Sequence, residues 1–394
     1  MTEHRLEVAD VFRQHEQEFL RHWGHMLDAH QRRAFRDICA CRTAALGAHL
    51  EQCDTCPQQA IAYNSCRNRS CPKCLSTARD KWLAARSAEL LPVPYCHVVF
   101  TLPQELSMLA LQNQRLLYNI LFRAASETLL TIAADPRRLG AKIGFLAVLH
   151  TWNQQMLHHP HLHCVVPSGG LSPDGSRWVP SRERFFLPVR VLGKLFRGKF
   201  LAFLAAAFRK KKLHFAGELG YLKQPVAFDR FLRQLRSKSW VVYAKRPFGR
   251  PEHVIQYLAR YTHRVAISNG RLIEMQDGQV TFRWRDSADN NQQKLMTLHA
   301  VEFIRRFLLH VLPSGFVKIR HFGILANRSR REDLARCRAL LPAQVDPPDR
   351  LTATQRRAVE RKCPACKIGT LHIIRWISPA ELTACRTEAR LDTS

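Results

Sequence analysis

The 394-residue chain has few acidic residues, no long apolar segment and no internal repeat. Asp and Glu total 32 against 61 Lys and Arg, which gives a formal net charge of +29. A chain so charged repels itself unless a polyanion lies against it, and a small-molecule enzyme has no need of such a field. Nucleic acid is therefore the expected partner. Hydrophobic residues make up 46% of the chain, which excludes a disordered basic tail.

Apolar runs are short everywhere in the chain. The most apolar, Phe200 to Phe208, falls well short of the roughly 20 residues that a membrane-spanning helix needs. The opening MTEHRLEVAD is charged and has no apolar core of the kind found in secretion signals. We therefore expect a cytoplasmic protein with no membrane partner. In that reducing compartment the 13 cysteines are expected to be metal ligands and not disulfides.

Helical and strand patterns alternate along the sequence, which favours a fold that contains both helices and strands. Helices are predicted over residues 5–38 (one or two helices), 76–91, 104–134, 189–212, 251–263 and 303–312. Strands are predicted over residues 97–102, 143–152, 161–166, 265–275 and 280–285. The second and third strands are joined by a short polar segment and predict a hairpin, and the last two predict another around Asp277-Gly278.

Composition divides the chain into four predicted parts. These are N-terminal helices (1–38), a zinc-binding module that contacts DNA (39–91), a large domain with an inserted basic region around 171–250 (92–335), and a proline-rich linker with a C-terminal CxxC module (336–394).

Two CxxC pairs predict a structural zinc site in the second part. Fourteen residues separate Cys53 and Cys56 from Cys71 and Cys74, close to the pattern in which each pair binds half of a tetrahedral ion. A set of buried free thiols is the alternative. Further ligands in the same region offer a second zinc site: Cys39, Cys41, His49 and Cys66.

A closed four-ligand zinc site holds shape and performs no chemistry. The module is therefore expected to present basic side chains to DNA; these are Arg67, Arg69, Lys73 and Arg79. At the other end of the chain, Cys363 and Cys366 form a lone CxxC pair. Its metal-binding partners could be His372, Cys385 or Cys337, or it could bind no metal.

His161 and His163 flank a leucine in a predicted strand. Side chains alternate along a strand, so both imidazoles lie on one face while the leucine lies on the other. Two imidazoles on a rigid strand form half of an open metal site, which is catalytic in kind. His150, across the predicted hairpin, is the expected third ligand, with Gln154 and Gln155 as alternatives. A pair of surface histidines is the other interpretation.

Tyr257 and Tyr261 lie four residues apart on the predicted helix 251–263, and so share one face. A phenol has a pKa near 10 and is a poor nucleophile until cations or a polarised phosphate lower the barrier. Arg260 and Arg264 supply such cations. Tyrosines at this spacing are also common as core or rim residues, so the nucleophile hypothesis depends on the histidine pair.

Several motifs, in a fixed order, resemble the two-tyrosine rolling-circle transposases of insertion-sequence family ninety-one. They are Tyr63-Asn64-Ser65-Cys66-Arg67-Asn68-Arg69, the strand from His97 to Pro103, His150-Thr151-Trp152, the histidine strand closing on Val165-Val166-Pro167, the segment from Tyr257 to Arg264, Phe303-Ile304-Arg305-Arg306-Phe307 and Ile319-Arg320-His321-Phe322-Gly323. The resemblance covers roughly residues 35–330, and the ordered set is more specific than any single motif.

The resemblance implies an α+β fold of the HUH nuclease type: an antiparallel sheet backed by helices, with the His-hydrophobic-His strand in the middle and the tyrosine helix beside it. It also implies that His161 and His163 bind Mg²⁺ or Mn²⁺, which polarises the scissile phosphate. Tyr257 or Tyr261 would then attack, leaving a 5′-phosphotyrosine and a free 3′-hydroxyl. No nucleotide cofactor is implied. Imidazole ligands favour Mn²⁺, Co²⁺ or Zn²⁺ over Mg²⁺.

The implied partners are single-stranded DNA at transposon ends and target DNA, at the bacterial nucleoid. The loop with Lys245, Arg246, Phe248 and Arg250 is expected to deliver cations and an aromatic ring to the reacting strand. Lys210 to Lys212 and Arg320 to Arg331 are the other dense basic patches, of a kind that is usually a solvated face.

Three other classes of protein stay open. The chain could be a zinc-dependent DNA-binding protein without catalysis, with His161 and His163 as ordinary strand residues. It could also be a zinc hydrolase of a small substrate, although it lacks an evident HExxH helix and its charge is unexplained in that case. A tyrosine recombinase also uses a phenol, but it needs no histidine metal strand.

Overall fold

The computed structural model describes residues 5–75, 82, 86, 89–182, 187–248, 254, 265–286, 289–342 and 362–383. The described helices are α1 (Val8–Gln14), α2 (Glu16–Trp23), α3 (Ala29–Ala40), α4 (Ser107–Gln112), α5 (Gln114–Ala134), α6 (Val189–Arg209), α7 (Pro225–Ser237), α8 (Ala300–Leu308) and α9 (Arg330–Leu340). The described strands are β1 (Ala48–Cys53), β2 (Gln59–Tyr63), β3 (Tyr95–Thr101), β4 (Gly144–Trp152), β5 (His158–Pro167), β6 (Gly169–Leu171), β7 (Trp178–Pro180), β8 (Val242–Phe248), β9 (Leu272–Gln276), β10 (Gln279–Asp286), β11 (Gln292–His299), β12 (Ile319–Gly323) and β13 (Leu371–Ile377). The α+β prediction, with antiparallel sheets and packed helices, is confirmed.

Two compact units interleave along the chain. The first consists of Met1–Ala84, Ile267–Val311 and Asp349–Ser394, and the second of Ala85–Ala266 and Leu312–Pro348. The predicted division into four consecutive parts stays a prediction. No described helix is long and apolar enough to cross a membrane.

The N-terminal helices of the first unit are three, where one or two were predicted. α1 ends at Gln14, and α3 begins after Asp28, whose carboxylate accepts hydrogen bonds from the backbone N–H groups of His30 and Gln31. Such a cap satisfies donors that a helix start leaves without partners, so it fixes a new start at this point. The helices share a buried aromatic cluster that includes Phe12, Phe19, Phe35 and Phe307 of α8.

Two three-stranded sheets complete the first unit. In one, β1 lies between β2 and β13 and pairs antiparallel with both. The strand that follows the C-terminal CxxC pair therefore pairs with the strand that ends at Cys53 in the N-terminal zinc region. The other sheet has the order β11-β10-β9. It contains the predicted hairpin, whose turn residues Asp277 and Gly278 have φ of 50° and 74°, as a tight two-residue turn requires.

The second unit is built on a five-stranded sheet in the order β12-β4-β5-β3-β8. The hairpin predicted from residues 143–166 is present as β4 and β5, and the histidine strand β5 is the central strand. One face of this sheet packs on helices: Leu162 of β5 and Phe100 of β3 lie in one buried cluster with Tyr118 of α5 and Phe196 of α6. Because side chains alternate along a strand, His161 and His163 lie on the opposite face.

The basic segment predicted as a loop at residues 245–250 is in part a strand. β8 continues through Phe248 and pairs with β3, with Lys245 opposite His97. Backbone pairing with β3 holds this segment extended, which the sequence pattern did not indicate. The predicted helices 76–91 and 251–263 lie outside the described residues, apart from Trp82, Arg86, Val254 and residues 89–91, and the last three are not helical.

Candidate functional site

The β4–β5 hairpin brings three histidines together, hereafter the histidine triad: His150, His161 and His163. His150 lies directly opposite His161 in the strand register. One nitrogen of each ring lies within 4.8 Å of the others. His150 and His163 are only 4% and 8% exposed. Gln154 and Gln155, the alternative third ligands, lie in and beside the turn that joins the two strands.

Burial favours the neutral form of the two β5 histidines of the triad, His161 and His163. Burial lowers the pKa of His161 to about 4, although the hydrogen bond to the His159 carbonyl opposes this shift. Burial also holds the pKa of His163 well below its usual value, and the neighbouring imidazoles add to the effect. A neutral imidazole is the form that binds metal ions, so His161 and His163 are in their ligating form at pH 7.

Hydrogen bonding selects the ring nitrogen of His161 that can bind an ion. Its Nδ1 lies 2.7 Å from the carbonyl oxygen of His159. A carbonyl only accepts, so Nδ1 carries the proton and donates it. The lone pair of a neutral ring then lies on Nε2, which is the atom that His161 can offer to a metal.

The donor set of the triad fits a divalent transition metal. Three imidazoles suit Mn²⁺, Co²⁺ or Zn²⁺ better than Mg²⁺, which prefers oxygen ligands. Three protein ligands also leave coordination positions open for water or a phosphate oxygen, as in catalytic metal sites. The triad therefore has a donor set that could hold such an ion.

Four cysteines of the first unit form the first cysteine cluster: Cys41, Cys66, Cys71 and Cys74. The Sγ atom of Cys74 lies 3.6 Å from that of Cys41 and 3.5 Å from that of Cys66. A tetrahedral zinc ion with zinc–sulfur bonds of about 2.3 Å separates its sulfur ligands by about 3.8 Å, whereas a disulfide joins sulfurs at about 2.05 Å. The spacing fits a structural zinc site.

The second cysteine cluster joins residues from opposite ends of the sequence: Cys53, Cys56, Cys363 and Cys366. Cys53 and Cys366 have Sγ atoms 3.7 Å apart, as do Cys56 and Cys363. Backbone N–H groups of Thr55 and Gly369 donate to sulfurs of this cluster. The hydrogen bond from the Gly369 backbone N–H is the largest of the effects that lower the pKa of Cys366 to about 6. A lower pKa favours the thiolate, which is the form that zinc binds.

The structure corrects the predicted grouping of the cysteines. Cys53 and Cys56 do not share an ion with Cys71 and Cys74; each pair lies in a different cluster. Cys41 precedes β1 and Cys53 ends it, and a strand advances roughly 3.3 Å per residue. The strand therefore carries the two pairs to different ends of the zinc region.

The remaining predicted zinc ligands lie outside both clusters. His49 contacts Asn64 and Glu51 through its two ring nitrogens, and Cys39 belongs to neither group. The partners of Cys363 and Cys366 are Cys53 and Cys56, and not His372, which contacts Asp54, or Cys337, which lies in α9. Cys385 lies outside the described residues.

Close packing around the second cysteine cluster yields a prediction for Gly369→Ala. A Cβ atom at this position would lie 2.4 Å from the Cys53 sulfur and 2.6 Å from an Asp54 carboxylate oxygen. The cluster must shift to accept it, so we expect faster release of one zinc ion to a chelator. Gly198→Ala is the matched control, because a Cβ there meets no atom within 4 Å. Equal release rates in both variants would contradict this packing.

The predicted DNA-contacting residues differ in their exposure and in their contacts. Arg67 and Arg69 are exposed. Lys73 forms an ion pair with Glu7. Arg320, the first residue of the basic patch from Arg320 to Arg331, lies 4.0 Å over the ring of Phe122. Its side chain therefore packs within the second unit. The following predicted site residues lie outside the described residues: Arg79, Arg250, Tyr257, Arg260, Tyr261 and Arg264. The same holds for the side chains of Lys245, Arg246 and Phe248.

Two buried histidines of the same sheet were not singled out by the sequence patterns. Nε2 of His97 lies 2.8 Å from Nδ1 of His163. His158 contacts Ser107 and Tyr118 through its two ring nitrogens, which identifies it as a structural residue. The sequence did offer one signal for His97, since it begins a predicted strand that is otherwise apolar. A buried imidazole in such a strand needs a hydrogen-bond partner.

Comparison with known proteins identifies two domains in the chain. Residues 11–102 match the family model described as "Transposase zinc-binding domain", and residues 144–333 match the one described as "Putative transposase". No solved structure matches the chain.

Two relatives cover most of the chain. It is 54% identical over 375 residues to "Putative transposase y4qJ" of Sinorhizobium fredii (strain NBRC 101917 / NGR234), which is 93% of this chain and 94% of the relative. It is 28% identical over 326 residues to "Transposase for insertion sequence element IS801" of Pseudomonas savastanoi pv. phaseolicola, covering 78% and 74% of the two chains.

A zinc-binding region followed by a transposase domain defines the chain as a DNA transposase. Both cysteine clusters are consistent with structural zinc in such a protein. The chain belongs to insertion-sequence family ninety-one, with that family's zinc-binding domain at its N-terminal end. The resemblance based on its motifs is confirmed.

Proposed function

We propose that this transposase nicks single-stranded transposon ends and transfers strands through a 5′-phosphotyrosine, in a rolling-circle-like reaction. The observation that carries the proposal is the histidine triad on the central hairpin of the sheet, in which burial lowers the pKa of His161 and of His163. The net charge of +29 supports a polyanionic substrate.

In this proposal His150, His161 and His163 hold Mg²⁺ or Mn²⁺. The bound ion would supply Lewis-acid polarisation of the scissile phosphate. The protein's own contribution is to hold the three rings in place: the His159 carbonyl fixes the tautomer of His161, and burial keeps His161 and His163 unprotonated. Such preorganisation removes the cost of arranging the ligands during the reaction.

Tyr257 or Tyr261 is the proposed nucleophile. Its phenol oxygen forms a bond to phosphorus and gives up its proton, while the bond from phosphorus to the 3′-oxygen breaks and that oxygen takes a proton. One phosphoester replaces another, so the bond energy is conserved and no nucleotide cofactor is needed. The second tyrosine serves the second strand transfer. Arg260 and Arg264 stabilise the developing phenolate.

Single-stranded ends and target DNA at the bacterial nucleoid are the proposed partners. The exposed Arg67 and Arg69 of the zinc region would contact the phosphate backbone, which positions DNA without reading its sequence. Lys245, Arg246, Phe248 and Arg250 would hold the reacting strand, with the phenylalanine stacking on an unpaired base.

We expect wild-type protein with Mn²⁺ and a single-stranded oligonucleotide from the transposon end to form a protein–DNA adduct that survives denaturation. The double variant Tyr257→Phe with Tyr261→Phe should form none, because a phenyl ring has no nucleophilic oxygen. A gel shift of labelled oligonucleotide under denaturing conditions measures both.

Tyr63→Phe with Tyr221→Phe is the matched control, since both tyrosines are exposed and lie outside the proposed site. It should form adduct at the wild-type level. An adduct that persists in the Tyr257/Tyr261 double variant would refute the nucleophile assignment. DNA binding without cleavage under any metal would instead favour a non-catalytic zinc-dependent DNA-binding protein.

A further inference from the structure

His97 lies beside the histidine triad without belonging to it. It lies on β3, next to the central strand β5, and is 5% exposed. The strand register places it opposite Val165, so it is a diagonal neighbour of His163 on the same face of the sheet. Its Nε2 lies 2.8 Å from Nδ1 of His163.

The two rings are joined end to end by this hydrogen bond. Their planes differ by 6° and their centroids lie 5.0 Å apart. An imidazole lone pair lies in the plane of its ring, so a short N···N contact between coplanar rings is a well-aligned hydrogen bond. Face-to-face stacking would not bring the in-plane lone pair of one ring onto the N–H of the other.

We propose that His97 is a positioning residue that accepts a hydrogen bond from the Nδ1–H group of His163 and thereby makes Nε2 of His163 the metal-binding atom. The proposal rests on the proposed function in one respect, the metal ion held by the triad. His161 provides the parallel case, because the His159 carbonyl accepts from its Nδ1. Both β5 ligands thus have an acceptor on Nδ1, one from the backbone and one from a neighbouring strand.

The opposite direction of donation would have a different chemical result. If Nε2 of His97 donated to Nδ1 of His163, the proton of a neutral His163 would be on Nε2, and that atom could not bind an ion. Outer partners of this kind fix ring orientation and raise ligand basicity, and their loss costs about 10- to 100-fold in metal affinity. We expect a loss in that range when the substitution of His97 deprives His163 of this acceptor.

The test compares Mn²⁺ affinity in three variants that carry two zinc ions per chain, enough to fill the cysteine clusters and leave the triad free. Mn²⁺ competes poorly for thiolate sites, so electron paramagnetic resonance of free Mn²⁺ reports on the triad and not on the cysteine clusters. His97→Leu should bind Mn²⁺ about 10- to 100-fold more weakly than wild type. His97→Gln, which retains an acceptor oxygen at similar reach, should recover most of the affinity. His158→Leu removes a buried histidine bound to Ser107 and Tyr118 and should bind Mn²⁺ like wild type.

A second readout keeps the proposal testable if His97→Leu does not fold. Nitrogen-15 spectroscopy of histidine-labelled wild type, assigned with His163→Gln, should find the His163 proton on Nδ1. A proton on Nε2, or equal Mn²⁺ affinity in His97→Leu and wild type, would overturn the role of His97. Normal Mn²⁺ binding with no DNA adduct would refute the proposed function alone, and wild type that binds no Mn²⁺ would overturn both the metal site and this role.

Discussion

His163→Ala should lower the rate of DNA cleavage at least about a thousandfold, equivalent to about 4 kcal/mol of transition-state stabilisation. The ring of His163 lies close to both other triad rings: its centroid is 4.5 Å from that of His150 and 4.8 Å from that of His161. Removing it leaves two imidazoles and an open position in place of a ligand. The measurement is single-turnover cleavage of a labelled end oligonucleotide at saturating Mn²⁺.

Zinc content separates this loss of chemistry from loss of folding. The two cysteine clusters contain no histidine, so His163→Ala should retain all of its zinc and its DNA affinity. His158→Gln, on the same strand, is the control for changing a buried β5 histidine and should retain most cleavage. Cleavage by His163→Ala within a few fold of wild type would exclude the triad as the metal centre.

Cys363→Ser combined with Cys366→Ser should reduce the zinc content of the protein from two ions per chain to one. These residues supply half of the second cysteine cluster. The same cluster borders the β1–β13 pairing, with Cys53 opposite Leu371. Because binding to a structural zinc site is also folding free energy, we expect a lower melting temperature and faster amide exchange in β1 and β13. Mass spectrometry of metal content and of exchange measures both.

The matched variants test how the cysteines are grouped. Cys53→Ser with Cys56→Ser should lose the same ion and affect the same strands as the C-terminal pair. Cys71→Ser with Cys74→Ser should lose the other ion and leave the exchange of β13 unchanged. If Cys53, Cys56, Cys71 and Cys74 held one ion together, the variant without Cys363 and Cys366 would keep that ion, and only the Cys53/Cys56 and Cys71/Cys74 variants would lose it. That result would refute the observed grouping.

The sequence was sufficient to predict the local structure around the triad. Alternation places His161 and His163 on one face, and two apolar runs joined by a short polar segment fix an antiparallel hairpin, which brings His150 opposite His161. These are consequences of neighbouring residues, so periodicity is enough to predict them.

Long-range pairing was beyond the sequence patterns. Spacing alone favoured joining Cys53 and Cys56 to the nearest CxxC pair, whereas the second cluster takes its other half from Cys363 and Cys366, more than 300 residues away. Which strand lies beside β5 also decides that His97 meets His163. The extension of β8 through Phe248 follows from pairing with β3 in the same way, because strand pairing depends on topology and not on local propensity.

The most direct test of the account is to locate the covalently bound nucleotide in the trapped adduct. Wild-type protein, Mn²⁺ and a single-stranded end oligonucleotide are combined, the adduct is digested, and tandem mass spectrometry identifies the modified peptide. The account predicts a 5′-phosphonucleotide on Tyr257 or Tyr261, formed only when the histidine triad is intact. A nucleotide on any other residue, or an adduct that forms equally well in His163→Ala, would contradict it.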